Sequence, residues 1–66
     1  MNAKVYAKVK KDHPSIINMD LYTGFITVMQ GKKYLYSKFS GITRLTHADA
    51  LADAEMMRQE IMQGTI

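Results

Sequence analysis

The first ten residues alternate between apolar and polar side chains, a pattern that gives two distinct faces only in an extended strand. The polar members are Lys4, Tyr6, Lys8 and Lys10, and the apolar members between them are Val5, Ala7 and Val9. Successive side chains of a strand point to opposite sides of a sheet. The pattern therefore predicts a strand over residues 3–10, with one apolar face and one basic face that carries a tyrosine.

A second segment, residues 33–39, repeats this arrangement. Its polar positions are Tyr34, Tyr36 and Lys38, and its intervening positions are Leu35, Ser37 and Phe39. The repetition predicts a second strand whose basic and aromatic side chains share a sheet face with those of the first. Gly41 is expected to end this strand.

The segment between these two strands contains a third strand and several turn signals. Residues 25–29 are β-branched and aromatic, which favours a strand, and Gly31 in the next connection is typical of a hairpin turn. Residues 20–24 are expected to contain a turn, in which Gly24 is free to adopt a positive φ. Residues 16–19 form either a fourth short strand or the start of the next strand.

The periodicity changes after residue 45, from two residues to between three and four. Thr46, followed by Asp49, is a helix-capping pattern, because the threonine hydroxyl can accept a hydrogen bond from a free backbone N–H. The apolar residues that follow at helical spacing are Ala50, Leu51, Ala54, Met57 and Ile61. These signals predict one helix over residues 47–63, ended by Gly64, with a single apolar stripe.

These elements together predict an α+β fold in which residues 1–66 form one small domain. The helix stripe must be buried against one face of an antiparallel meander of three or four strands. The predicted sheet side of this core is Val5, Ala7, Val9, Ile26, Val28, Leu35 and Phe39. The other face stays open, as antiparallel sheets allow, and is predicted to carry Lys4, Tyr6, Lys8, Lys10, Tyr34, Tyr36 and Lys38.

The composition narrows the class of protein. The 66 residues include no cysteine, so no disulfide or thiolate site contributes. No apolar run approaches the roughly 18 residues of a membrane span and the N-terminus lacks a signal-peptide core, so we expect a cytoplasmic protein without membrane contact. Residues 1–45 hold eight basic and two acidic side chains, whereas residues 46–66 hold one basic and four acidic. Such a charge separation can direct one surface toward a polyanion.

The open basic face predicts nucleic-acid binding, with DNA favoured over RNA. Lysines neutralise phosphates, and tyrosines stack on bases or donate to phosphates. Tyrosine is also favoured in strands and lysine also protects sheet edges, so a purely structural role fits the same residues. We expect no enzymatic activity, metal or cofactor, because the sequence shows no nucleophile–base motif, no phosphate-binding glycine loop and no metal-ligand spacing around His13 or His47.

A protein-interaction module is the alternative function. Met56 and Met62 lie off the main helix stripe, and flexible methionine side chains suit adaptable contact surfaces. Together with exposed tyrosines, they are the candidate protein interface. The interface would serve either a homodimer or a foreign protein, for example as a small phage-encoded inhibitor of a host protein.

Residues 39–50, FSGITRLTHADA, combine the end of a strand, a glycine and a Thr-x-x-Asp-Ala helix start. This segment resembles the arm-type DNA-binding domains at the N-terminus of phage and transposon tyrosine integrases, through Thr46, Asp49 and Ala50. The resemblance covers about the second half of the chain. It implies a protein of a phage or mobile element, with a three-stranded sheet backed by one helix and inserted into the major groove of DNA. The residues that would then face DNA are Lys4, Tyr6, Lys8, Tyr34, Tyr36 and Lys38.

Overall fold

The computed structural model describes residues 3–64, which form three strands and one helix. Strand β1 is Ala3–Asp12, β2 is Leu21–Gln30, β3 is Lys33–Arg44, and the helix α1 is His47–Gly64. The strands form one antiparallel sheet in the order β1-β2-β3, and α1 packs on one of its faces. The predicted α+β fold is therefore confirmed, in its three-stranded form.

β1 and β2 pair without interruption, from Ala3 opposite Gln30 to Asp12 opposite Leu21. This pairing extends β2 through the segment where the sequence predicted a turn. Gly24 accordingly lies inside the strand and has no positive φ, so the prediction of a turn there is wrong.

Residues 13–20 connect β1 to β2 as a loop. Its turn is closed by a 2.9 Å hydrogen bond that the Asn18 N–H donates to the Pro14 carbonyl. Asn18 has a φ of 51°, in the left-handed region that asparagine tolerates better than most residues. Residues 16–19 therefore form neither a fourth strand nor the start of β2, because residues 15–18 make the turn and β2 begins at Leu21.

β2 and β3 form the predicted hairpin, with Gln30 opposite Lys33 and two residues between them. Gly31 occupies the first of these positions at a φ of 63°. A type II′ turn has a positive φ at its first central residue, and glycine adopts this φ at no steric cost.

Two bulges interrupt the register of β3. Leu35 is an extra residue, because Tyr34 lies opposite Met29 whereas Tyr36 lies opposite the next residue of β2. A second irregularity surrounds Gly41, which has a φ of 79° and is followed by further pairing. The prediction that Gly41 ends the strand is wrong. Glycine at a positive φ lets an antiparallel strand bulge and continue.

The helix begins as the capping pattern predicts, with the Asp49 N–H donating to the Thr46 hydroxyl at 3.2 Å. It then packs on β2 at a point where neither element has a bulky side chain. Ala50 and Ala54 are fully buried there, and a Cβ added to Gly24 would lie only 2.9 Å from the Ala54 nitrogen and closer still to the Ala50 carbonyl oxygen. Glycine is therefore needed at position 24 for close approach.

The buried apolar core of the described chain is small. It consists of Ile26, Val28, Ala50 and Ala54, and Leu51, Met57 and Ile61 flank it as half-buried side chains. Leu35 and Phe39 were predicted to belong to this core, but they are 40% and 48% exposed. That prediction is wrong because Phe39 lies opposite Phe25, on the face away from the helix, and Leu35 is the extra residue of a bulge.

Two arginines attach α1 to the outer strands of the sheet. Arg44 of β3 donates two hydrogen bonds to the Asp53 carboxylate, from Nε at 2.7 Å and from an Nη at 2.9 Å. Arg58 of α1 donates from Nε to the Val5 carbonyl of β1 at 2.9 Å. The helix is thereby fixed at both edges of the sheet as well as at its centre.

Candidate nucleic-acid interface

Four rows of side chains cross all three strands on the sheet face opposite α1. From β1 through β2 to β3, the rows are Lys4–Met29–Tyr34, Tyr6–Thr27–Ser37, Lys8–Phe25–Phe39 and Lys10–Thr23–Thr43. We call these twelve residues the open face. No acidic side chain is among them, although Asp12, which pairs with Leu21 at the end of β1, lies on the same side just beyond them.

The β1 edge of the open face is cationic. Lys4, Lys8 and Lys10 are all exposed, and Tyr6 between them is 44% exposed. Since a strand advances by about 3.4 Å per residue, the backbone positions of the three lysines span about 20 Å of the edge. The prediction that these four residues share one face is confirmed by the register of β1.

The middle and the β3 side of the open face are aromatic rather than charged. The rings of Phe25 and Phe39 stack with their centroids 4.7 Å apart and an interplanar angle of 26°. The Lys10 ammonium lies 5.9 Å from the centroid of the Phe39 ring, close enough for a cation–π interaction. Phe39 is 48% exposed, so this stack presents ring surface to the solvent.

Sequence reasoning missed both phenylalanines as members of this face. Phe25 precedes Ile26 by one position and Val28 by three. Alternation within β2 therefore places its side chain on the face opposite to theirs, which the sequence alone could have shown. Phe39 follows a bulge, and only the register against β2 shows which side it occupies.

A short network of hydroxyl groups orients Tyr34, the second tyrosine of the open face. The Tyr34 hydroxyl donates to the Ser37 hydroxyl at 2.9 Å, and the Ser37 and Thr27 hydroxyls are 3.1 Å apart. Tyr34 is 57% exposed despite this hydrogen bond. Its ring is therefore oriented by the protein before any ligand arrives.

Tyr36 and Lys38 do not lie on the open face, and the prediction that placed them there is wrong. They pair with Val28 and Ile26, whose side chains point toward the helix. The physical reason is the bulge at Leu35, because one extra residue reverses the side on which the following side chains lie. Tyr34 precedes the bulge and stays on the open face.

On the helix side, these two residues border shallow cavities between β3 and α1. Lys38 lines a cavity of about 230 Å³ together with Asp53, Met56 and Glu60. Its surroundings are thus partly acidic, which is unfavourable for binding a polyanion. Tyr36 lines a different cavity, near the end of the helix.

The two methionines of the candidate protein interface are both exposed, at 63% for Met56 and 56% for Met62. They do not form a single patch, however. Met56 borders the cavity beside β3, whereas Met62 borders cavities near Ala3 and Val5 of β1.

The side chain of His13 is held by hydrogen bonds within the β1–β2 loop. Its Nδ1 lies 2.8 Å from a carboxylate oxygen of Asp20, and its Nε2 lies 3.1 Å from the side-chain oxygen of Asn18. Both ring nitrogens therefore face acceptors, which favours the doubly protonated ring. The hydrogen bond to Asp20 and then that to Asn18 raise the pKa of His13, and the same bond lowers the pKa of Asp20.

Within residues 3–64, no group of histidine and carboxylate side chains comes together in a way that could hold a metal ion. The described helix is also not long and apolar enough to cross a membrane. Comparisons with protein-family models, curated proteins and solved structures give no match to this chain. The resemblance to integrase arm-type domains therefore stays a prediction.

Proposed function

We propose that this protein is a small non-enzymatic nucleic-acid-binding module that uses the open face, with DNA as the favoured ligand. The observation that supports this proposal most directly is that Lys4, Lys8 and Lys10 lie along one side of β1 beside exposed aromatic rings. The one carboxylate of β1, Asp12, lies on the same side but at the end of the strand. Lysines provide affinity by neutralising phosphates and releasing counterions. The aromatic rings provide a surface for bases.

The direct test is a fluorescence-anisotropy titration of the protein with labelled DNA at low salt. We expect a dissociation constant in the micromolar range or weaker, and a logarithmic salt slope of about −2 to −3 if three phosphates are neutralised. Absence of binding to any nucleic acid at low salt would refute the proposal.

Charge-reversal variants separate the open face from the rest of the basic surface. Lys8→Glu should weaken binding and reduce the salt slope by about 1. Lys38→Glu is the matched control, because Lys38 is also an exposed strand lysine but lies on the helix side. Equal losses in the two variants would indicate that net charge, and not the open face, determines the affinity.

A protein-interaction module is the second candidate function, supported by exposed apolar side chains outside the open face. Ile42, Leu45 and Met56 are 46%, 64% and 63% exposed. The β3 edge near them has no strand partner in the described sheet, and unpaired edges can accept a strand from another chain. Light scattering across a concentration series tests the homodimer, and a constant monomer mass would exclude it.

A further inference from the structure

We infer that the open face recognises an unpaired nucleic-acid strand rather than a duplex. This inference rests on the proposed function and specifies its ligand. Two independent features of the open face support it, namely the one-sided distribution of its charges and the exposure of its aromatic rings.

The charges of the open face fit a single phosphate backbone. All three cations come from β1, and the β3 members are the uncharged residues Tyr34, Ser37, Phe39 and Thr43. A duplex presents two backbones, one on each side of the major groove, so a sheet that enters the groove needs cations along both of its edges. Arg44, at the end of β3, is already paired with Asp53 on the helix side.

The aromatic side chains of the open face fit unpaired bases. Tyr6, Tyr34 and Phe39 are each between 44% and 57% exposed. In a duplex the faces of the bases are already stacked on their neighbours, whereas in a single strand they are free to stack on protein rings. The Phe25–Phe39 stack, with its rings 4.7 Å apart, gives an unpaired base an existing ring to extend.

The geometry matches this arrangement. The cationic β1 edge and the rings of β3 are separated by two strand spacings, or about 10 Å. A single strand running along β1 would place its phosphates on the lysines and direct its bases across the face toward Phe39 and Tyr34. Neither contact depends on base identity, so we expect weak sequence preference.

The test compares three labelled ligands of one mixed 12-nucleotide sequence, as single-stranded DNA, single-stranded RNA and duplex DNA. We expect the protein to bind one or both single strands at least about tenfold more tightly than the duplex, since loss of two stacked bases costs this much or more. Duplex binding that equals or exceeds single-strand binding would overturn the inference and leave the proposed function standing. Absence of binding to all three ligands would refute the proposed function itself.

A pair of variants on the same strand tests the stacking contact. Phe39→Ala should weaken single-strand binding by about five- to one-hundredfold, the loss of one base–ring stack. Tyr36→Ala is the matched control, because Tyr36 is 46% exposed against 48% for Phe39 but lies on the helix side. An equal effect of the two variants, with both folded by circular dichroism, would contradict the inference.

A measurement on the unaltered protein covers the case in which Phe39→Ala does not fold. Addition of single-stranded DNA should shift the ring-proton NMR signals of Phe39 and Tyr34 upfield, because a stacked base places these protons in its ring current. Unshifted rings at saturating ligand would overturn the inference.

Discussion

The contact between Gly24 and the helix leads to the sharpest prediction for stability. Replacing Gly24 by alanine adds one methyl group at a place occupied by helix backbone, 2.9 Å from the Ala54 nitrogen and closer to the Ala50 carbonyl oxygen. Backbone atoms cannot rotate away as a side chain can. The nitrogen alone must retreat by about 0.5 Å to reach ordinary van der Waals distance, and the oxygen by more.

This displacement lifts α1 from the centre of a core that has only four buried apolar residues in the described chain. Insertion of a methyl group into a well-packed core typically costs about 1–3 kcal/mol. We expect Gly24→Ala to lie at or above the upper end, about 3 kcal/mol, because the helix must move as a body. In a domain of this size, that corresponds to a loss of about 12–24 °C in Tm.

The assay is thermal and urea unfolding followed by circular dichroism, with Gly64→Ala as the control. Gly64 also has no positive φ, and a Cβ there meets no atom within 4 Å. The control should be neutral or stabilise by up to about 1 kcal/mol through helix propensity. A Tm for Gly24→Ala within a few degrees of the unaltered protein would show that α1 does not pack directly on β2.

Three further predictions concern charged contacts. Asp53→Asn should reduce stability above the usual carboxylate pKa and make unfolding less dependent on acid pH. The hydrogen bonds from Arg44 lower the pKa of Asp53, and their stabilisation is lost as the pH falls through that lowered value. An unchanged pH–stability profile would contradict this. Asp20→Asn should lower the pKa of His13 in an NMR titration, since the hydrogen bond to Asp20 is the main cause of the raised pKa. The stabilisation from this contact is lost as the pH rises through the raised pKa of His13. An unchanged titration midpoint would contradict the loop geometry. Arg58→Met keeps the aliphatic chain but removes the hydrogen bond to the β1 carbonyl, and should cost about 1 kcal/mol in urea unfolding; a silent substitution would show that this bond does not hold the helix.

The sequence allowed the element order and the polarity of β1 to be predicted, because both depend on local patterns. Strict alternation in β1 has only one interpretation once a helix stripe requires an apolar sheet face. The start of α1 was equally accessible, since Thr46 caps it through a contact only three residues away.

β3 could not be interpreted in the same way, because alternation shows which residues share a side but not which side that is. β3 has aromatic residues on both sides, and the bulge at Leu35 separates Tyr34 from Tyr36. Placing a bulge requires the register against β2. The role of Gly24 was hidden for a related reason, since the atoms that require glycine there belong to Ala50 and Ala54, 26 and 30 residues further along the chain.

The bond from Arg58 to the Val5 carbonyl joins residues 53 positions apart, which bears on the time course of folding. The two-residue β2–β3 hairpin can form within about 1–10 μs, and the meander requires only neighbouring strands to meet. Closing the chain between β1 and α1 carries a larger entropic cost, which only the completed contact repays. Docking of the helix is thus expected to complete folding, and contacts formed after the transition state mainly slow unfolding. The Arg58 contact then governs how long the open face persists in its folded form, more than how quickly it forms.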